Sequence, residues 1–281
     1  MVFHLWLRKL MKVLKLSTRK LTVLKIGGSV ITDKSGEPVP RMQNVNRLAE
    51  EIKNANMQNL IIVHGGGSFG HPSAQKYAIK EGFKSESQRI GFAETHYAMT
   101  LLNGFFMDAL ILHDVPAVNI MPSSCLLTKN GRIQCFEEAP LKMLLKMGFL
   151  PVMYGDVVLD SELGFTVLSG DQLVAYIATK FNVEQIVIGV DVDGIYNADP
   201  KADRTAKLFK HLTLEELKTI RNQLDKPTEC DVTGGMFGKI TELLPAIEQG
   251  IPVIIVNAAK PSYVYKALKG EKVEGTLIEK E

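Results

Sequence analysis

The sequence predicts an α/β fold, a largely parallel sheet with helices on both faces. Short apolar, partly β-branched runs alternate with helical stretches over residues 21–281. Several of these runs end in glycines, where an open α/β sheet places its ligand site. No 20–50-residue repeat and no long Pro/Gly/Ser linker interrupts the alternation.

The first predicted strand, Leu21–Ile26, is apolar apart from Thr22 and Lys25 and meets a tight turn at Gly27–Gly28. Residues 59–63 repeat the pattern and run into HGGGSFG. Residues 115–120, 152–154, 185–190 and 252–256 read as further strands. Helical stretches lie at 45–54, 91–112, 137–146, 171–179, 214–224 and 238–248. Asn130–Gly131, flanked by Leu126–Leu127 and Ile133, has hairpin-turn composition, and residues 157–159 with 165–168 suggest another hairpin. One compact unit with two lobes follows, dividing near residues 160–170.

Composition is globular: 281 residues, 46% apolar and 23% charged, too apolar for disorder. The formal charge of +2 is uneven. Residues 1–20 hold six basic side chains and no acid, leaving 27 basic against 31 acidic in residues 21–281, net −4. Such a body lacks the concentrated basic surface that a nucleic-acid backbone requires. No uncharged run reaches the roughly 18 apolar residues of a membrane span. Neither nucleic-acid binding nor integral membrane association is expected.

Residues 1–20 form a basic extension that does not read as a secretory signal, because charges interrupt its apolar stretch. It reads as a leader before a start at Met11, or as an amphipathic helix on a membrane surface or on the protein itself. Cys125, Cys135 and Cys230 lack C-x-x-C spacing and are odd in number, which suits a reducing cytoplasm better than zinc or disulfides.

Four features carry the chemistry. In Lys25–Ser29, KIGGS, glycines let backbone amides approach an anion while Lys25 aims a charge at the same place; a plain tight turn is the alternative. In His64–His71, HGGGSFGH, three consecutive glycines are costly in chain entropy, and an anion cradle opening a helix supplies a reason. His71 suits a phosphate contact, proton donation, or a cap before Pro72. Asp171, in LSGDQL, suits a helix N-cap or a group holding lysine amines. The fourth feature joins DVDGIYNADP at 191–200, where Tyr196 could stack on a base, to DVTGGMFGK at 231–239, where Lys239 suits phosphate.

Three familiar motifs fail. The first stretch lacks EF-hand spacing and its distal glutamate. In the second, Thr233 stands where Walker A needs glycine and Ile240 follows the lysine. Gly65–Gly70 matches G-x-G-x-x-G, but Glu86, at the right distance for the acidic partner, lies in polar KSESQR rather than at a strand end. Phosphoryl transfer fits the combination, since it needs positioning and charge stabilisation, which amide cradles with Lys25, Lys34 and Lys239 supply.

Through KIGGSVITDK, HGGGSFGHP, SGDQLVAYIA, DVDGIYNADP and DVTGGMFGK, in that order, residues 21–281 resemble the amino acid kinase superfamily and, within it, the archaeal-type isopentenyl phosphate kinases. The resemblance implies a three-layer αβα sandwich around an open, mainly parallel sheet, commonly a homodimer. It implies an acceptor-binding lobe at about 21–165 and a nucleotide-binding lobe at about 166–281. The implied reaction transfers the γ-phosphate of ATP, with Mg2+, to isopentenyl phosphate in cytoplasmic isoprenoid biosynthesis. The rivals are another small phosphate, phosphonate or carboxylate acceptor, and a non-catalytic nucleotide sensor.

The resemblance also implies roles. Lys25, Ile26, Gly27, Gly28 and Ser29 would meet the nucleotide phosphates, and Lys34 would stabilise the transferring group. Gly66 and Gly67 would line the junction of the two substrates, with Gly170 beside the acceptor and His71 gripping its phosphate. Asp171 would organise the lysines, and Asp191, Tyr196, Gly235 and Lys239 would serve the nucleotide. Tyr77, Phe83, Ile90, Phe92 and Met99 are candidates for an apolar tail pocket. No regulatory domain of the kind some glutamate kinases and aspartokinases carry is expected after Glu281.

Overall fold

The computed structural model describes residues 21–33, 37–198, 200, 203, 205–224 and 234–281. The described residues begin with β1 (Leu21–Ile26), α1 (Gly28–Ile31), α2 (Met42–Ala55), β2 (Leu60–His64), α3 (Gly67–Lys76) and the long α4 (Ser87–Leu112). Next come β3 (Ala117–Asn119), α5 (Pro122–Cys125), β4 (Leu126–Lys129), β5 (Arg132–Phe136), α6 (Ala139–Met147), β6 (Leu150–Tyr154), β7 (Asp156–Asp160) and β8 (Gly164–Leu168). The last part holds α7 (Gly170–Lys180), β9 (Val183–Val190), β10 (His211–Thr213), α8 (Leu214–Leu224), α9 (Gly234–Glu248), β11 (Val253–Asn257), α10 (Tyr263–Lys269) and β12 (Gly275–Glu279).

Eight strands form the main sheet in the order β10-β12-β11-β9-β1-β2-β6-β3. Pairing is parallel from β11 across to β3, and β12 joins β11 antiparallel. All six residues of β1 and all five of β2 are buried, as strands covered on both faces must be. Alternate side chains enter different layers. Val23, Ile61 and Ile186 pack with Leu173 and Ile177 of α7 and Leu243 of α9. Leu24, Ile62 and Val187 pack with Leu48 of α2, Leu102 and Phe106 of α4 and Val264 of α10. The result is the expected αβα sandwich.

Helix α2 shows how local pattern becomes tertiary contact. Val45, Leu48, Ala49, Ile52 and Ala55 recur at helical spacing and are buried, and Asn56 ends the helix in the left-handed region. Glu51 is also buried. Its carboxylate accepts the N–H groups of Ser262 and Tyr265 at 2.9 and 3.0 Å, satisfying the start of α10, while Arg47 pairs with it from one turn earlier.

A second sheet, β5-β4-β7-β8, contains both expected hairpins. Asn130 and Gly131 have φ of 49° and 74°, as a two-residue Asn-Gly turn requires. Asp160 ties the hairpins together: it accepts from the Thr128 hydroxyl at 2.8 Å and from the N–H groups of Asn130, Gly131, Glu162 and Leu163 at 2.8–3.1 Å. Helices α1 and α10 and strands β10 and β12 were not anticipated. They are short, and β12 mixes apolar and polar residues (GTLIE), so periodicity gives little signal. Among the described residues, no helix is long and apolar enough to cross a membrane.

Candidate active site

Parallel pairing sets Ile26 opposite His64, so the turns after β1 and β2 leave the sheet side by side. Gly27 N–H donates to Gly189 O at 2.8 Å, and Gly65 N–H donates to Ile26 O at 2.9 Å. Above these bonds the turns touch. A Cβ on Gly28 would collide with the backbone nitrogen of Gly67, and one on Gly67, whose φ is +50°, would strike Thr32 Oγ1. The glycines thus permit backbone-to-backbone approach. The N–H groups of Gly28, Gly66 and Gly67 have no hydrogen-bond partner among the described residues. They stand at the starts of α1 and α3, where free amides favour an anion.

These turns open on a cleft of about 250 Å³. Lys25 reaches it from the end of β1 with only 3% of its side chain exposed, and Asp171 Oδ1 lies 2.8 Å from its ammonium. The N-cap reading of Asp171 is corrected: Ser169 caps α7 by accepting Gln172 N–H, and Asp171 stands in the first turn. Its carboxylate is thereby left for the lysine. Lys239, on α9, enters the same cleft.

His71 stands at the cleft mouth, inside α3 rather than capping it, so the cap before Pro72 is likewise corrected. Its ring is partly open to solvent. Burial of its inner side, then the nearby charges of Lys239 and Lys25, lower its pKa below the ordinary 6.5. The two lysines that disfavour a proton on His71 give the cleft a field that attracts a polyanion.

The cleft brings together Lys25, Gly28, Ser29, Gly66, Gly67, His71, Gly170, Asp171 and Lys239. Ile26 does not line it: its side chain is in the core and its carbonyl is taken by Gly65. Gly27 lies beneath, against Gly189. Asp191 and Tyr196 follow β9, away from this lining. There the Tyr196 hydroxyl donates to Asp193 Oδ2 at 3.3 Å, while Asp193 also receives Asn257 at 2.9 Å and Lys260 at 2.6 Å. Gly235 falls in the first turn of α9. Lys34, Asp231 and Thr233 lie outside the described residues.

Of the tail candidates, only Met99 lines the cleft. Tyr77 and Phe92 pack around Phe165 in a small separate core, and Phe83 and Ile90 are exposed. The apolar wall comes instead from Ala74, Met99, Val167 and Leu168. Sequence reasoning also missed Gly155 and Ser169. The signal for Gly155 was present, since YGD follows β6 as the other glycines follow β1 and β2. Behind the cradle, buried His64 sits between Tyr154 and Phe106, with Nδ1 3.2 Å from Gly65 O and Nε2 3.2 Å from Asn103 Oδ1. Burial lowers its pKa, and the single N–H of a neutral ring faces two acceptors, Gly65 O and Asn103 Oδ1.

Parallel strands that end in touching glycine turns, with Lys25, Lys239 and the Asp171 carboxylate in one cleft, form a site suited to phosphoryl transfer. The chain belongs to the amino acid kinase family, whose model matches residues 20–257. Within that family it is similar to the isopentenyl phosphate kinase of Methanothermobacter thermautotrophicus, 43% identical over 266 residues that cover 92% of this chain and 98% of that protein. The isopentenyl phosphate kinase of Methanocaldococcus jannaschii is 38% identical, with the same coverage of both chains. A crystal structure of an isopentenyl phosphate kinase superposes with a TM-score of 0.81 at 40% identity, covering 92% of this chain and 100% of that one.

Proposed function

We propose that the chain transfers the γ-phosphoryl group of ATP to isopentenyl phosphate, giving isopentenyl diphosphate and ADP. The observation that carries this reading is the contact between the two glycine turns, which directs two sets of free amides into one cleft with Lys25, Lys239 and His71. The choice of acceptor is supported by the isopentenyl phosphate kinases that this chain resembles along most of its length. A cleft that sets glycine amides and lysines beside apolar Ala74, Met99, Val167 and Leu168 suits an alkyl phosphate. Each methylene buried there contributes about 0.8 kcal/mol.

In this mechanism a terminal oxygen of the acceptor phosphate attacks Pγ in line. The new O–Pγ bond forms as the bond between Pγ and the bridging oxygen breaks, and the electron pair leaves on ADP. A phosphate monoester has its second pKa near about 6, so the nucleophile is largely ionised at neutral pH and needs no side-chain base. Lys25, held by Asp171, offsets charge on the migrating group, and Lys34 is assigned the same task by resemblance. His71 grips the acceptor phosphate beside Gly66 and Gly170. Gly28, Ser29 and Gly67 serve the nucleotide phosphates, while Ile26 and Gly27, whose carbonyl and N–H are taken by Gly65 and Gly189, hold the turn beneath them. Asp191, Tyr196, Gly235 and Lys239 complete the nucleotide side. Residues 21–165 then supply most of the acceptor lobe and 166–281 most of the nucleotide lobe, with Gly28, Ser29 and Gly67 reaching the nucleotide phosphates and Gly170 the acceptor.

Mg2+ enters with ATP as part of the substrate. Asp171 is already paired with Lys25, and no group of three or more His, Cys, Asp or Glu among the described residues could hold a metal. A small hard cation is readily carried on nucleotide phosphates. The reaction belongs to isoprenoid synthesis, in a cytoplasmic setting. A homodimer is supported by one face of α4, where Ile90, Tyr97, Leu101 and Leu112 are exposed at helical spacing.

The test is an acceptor panel with Mg-ATP, read as ADP formed. Isopentenyl phosphate should give the highest kcat/KM, by about 10-fold or more over small carboxylates and phosphonates. The reading fails if isopentenyl phosphate does no better than water while another acceptor turns over.

A further inference from the structure

We propose that Thr32 is a positioning residue whose hydroxyl joins the turn after β1 to the turn after β2 and so sets the spacing between donor and acceptor phosphates. The inference rests on the phosphoryl-transfer reading above. Thr32 ends α1 and is 1% exposed. Its Oγ1 donates to Gly28 O at 2.9 Å and accepts the Ser68 N–H at 3.1 Å. A hydroxyl has one proton to give and lone pairs to receive, so both bonds coexist.

The two partners belong to different cradles. Gly28 is in the turn assigned to the nucleotide phosphates. Ser68 N–H is a first-turn amide of α3 that no helical carbonyl reaches, and it follows directly on Gly66–Gly67. Lower down, the Gly65–Ile26 backbone bond joins the strand ends. Higher up, Gly28 and Gly67 meet only in van der Waals contact, and Thr32 supplies the directional link between them. Its β-branched side chain has few rotamers, which keeps that link stiff. The segment after it is also anchored: Thr32 bridges Pro40, and Asp33 N–H donates to Val39 O at 2.9 Å.

In-line transfer requires the attacking oxygen and Pγ to sit about 3–3.5 Å apart, and a 1 Å misplacement can cost on the order of 100-fold in rate. The amides offered to phosphate, Gly28 on one turn and Gly66 and Gly67 on the other, are present with or without the Thr32 hydroxyl. Loosening the link therefore leaves both binding steps nearly intact and slows the transfer between them. That pattern separates positioning from simple structural support.

The experiment compares Thr32→Val, isosteric but without the hydroxyl, with Thr32→Ser, which keeps it. Kinetics are measured on the acceptor that the wild-type chain turns over fastest, with thermal melting of each variant. Thr32→Val should lower kcat about 10- to 100-fold, with KM for ATP and for acceptor each within about 3-fold of wild type. Thr32→Ser should stay within about 3-fold of the wild-type kcat. If Thr32→Val does not fold, Thr32→Ala is read against the same criteria. Wild-type kcat in the hydroxyl-free variant overturns the proposal. So does a kcat loss shared by a well-folded Thr32→Ser, or one accompanied by a matching rise in both KM values. A wild-type chain inactive on every acceptor sinks the functional reading itself, and this inference with it.

Discussion

Lys25 is 3% exposed at the end of β1, and an ammonium held so far from water needs a fixed counter-charge, which Asp171 provides at 2.8 Å. His71 is held differently, because its neighbours Lys239 and Lys25 repel a proton. A doubly charged acceptor phosphate beside the ring reverses that balance, raising the pKa of His71 in the complex above its value in the free enzyme. Affinity for the acceptor dianion should therefore rise as pH falls through the His71 pKa of the complex and level off below that of the free enzyme. Binding near neutral pH should take up a fraction of a proton, measurable by calorimetry in two buffers of different ionisation enthalpy. His71→Asn should abolish that uptake; equal uptake in both proteins would show that the histidine is not the group responsible. The lysines, His71 and the glycine turns were legible in the sequence because glycine runs after apolar strands are conspicuous. Thr32 and Ser169 were not, because their value comes from which turns become neighbours, and strand order decides that. For Asp171 the spacing left two roles open, and only the cap at Ser169 separates them.

Among the elements, the β4–β5 and β7–β8 hairpins depend on one carboxylate. Burial opposes the charge of Asp160, but the N–H groups of Leu163, Gly131 and Glu162 and the Thr128 hydroxyl outweigh it and hold its pKa well below the usual carboxylate range. A depressed folded-state pKa contributes stability that is present above the unfolded value of about 3.9 and is lost as pH falls through the folded one. Asp160→Asn should therefore cost about 2 kcal/mol at pH 7 by urea denaturation, and the gap from wild type should close below about pH 4. A gap that stays constant down to acid pH would show that shape, not charge, matters at this position. Elements with a strong pattern were readable in advance: strands buried on both faces as continuous apolar runs, α2 as an amphipathic stripe, and the Asn130–Gly131 turn from its dipeptide. Strand β10, three residues long, draws its stability from pairing with β12, a contact from 66 residues away that carries no local signature.

Over the whole molecule, charge and apolar surface are unevenly spread. The +2 total combines a +6 extension at residues 1–20 with a body of net −4, and the family model matches residues 20–257. On the proposed function, phosphate is therefore met by local amides and lysines inside an acidic-leaning protein. The exposed face of α4 gives the proposed homodimer its test: Leu101→Glu should shift the sedimentation or light-scattering mass toward a monomer, and an unchanged mass would exclude this face. The position of β1 in the sheet has a further consequence for synthesis on the ribosome. This first strand lies between β2 and β9, so one neighbour is made almost at once while the other ends at Val190. At about 5–20 residues per second, β1 waits on the order of 10–30 s with one edge unpaired. During that interval the nascent chain presents an apolar strand edge open to aggregation or to a chaperone.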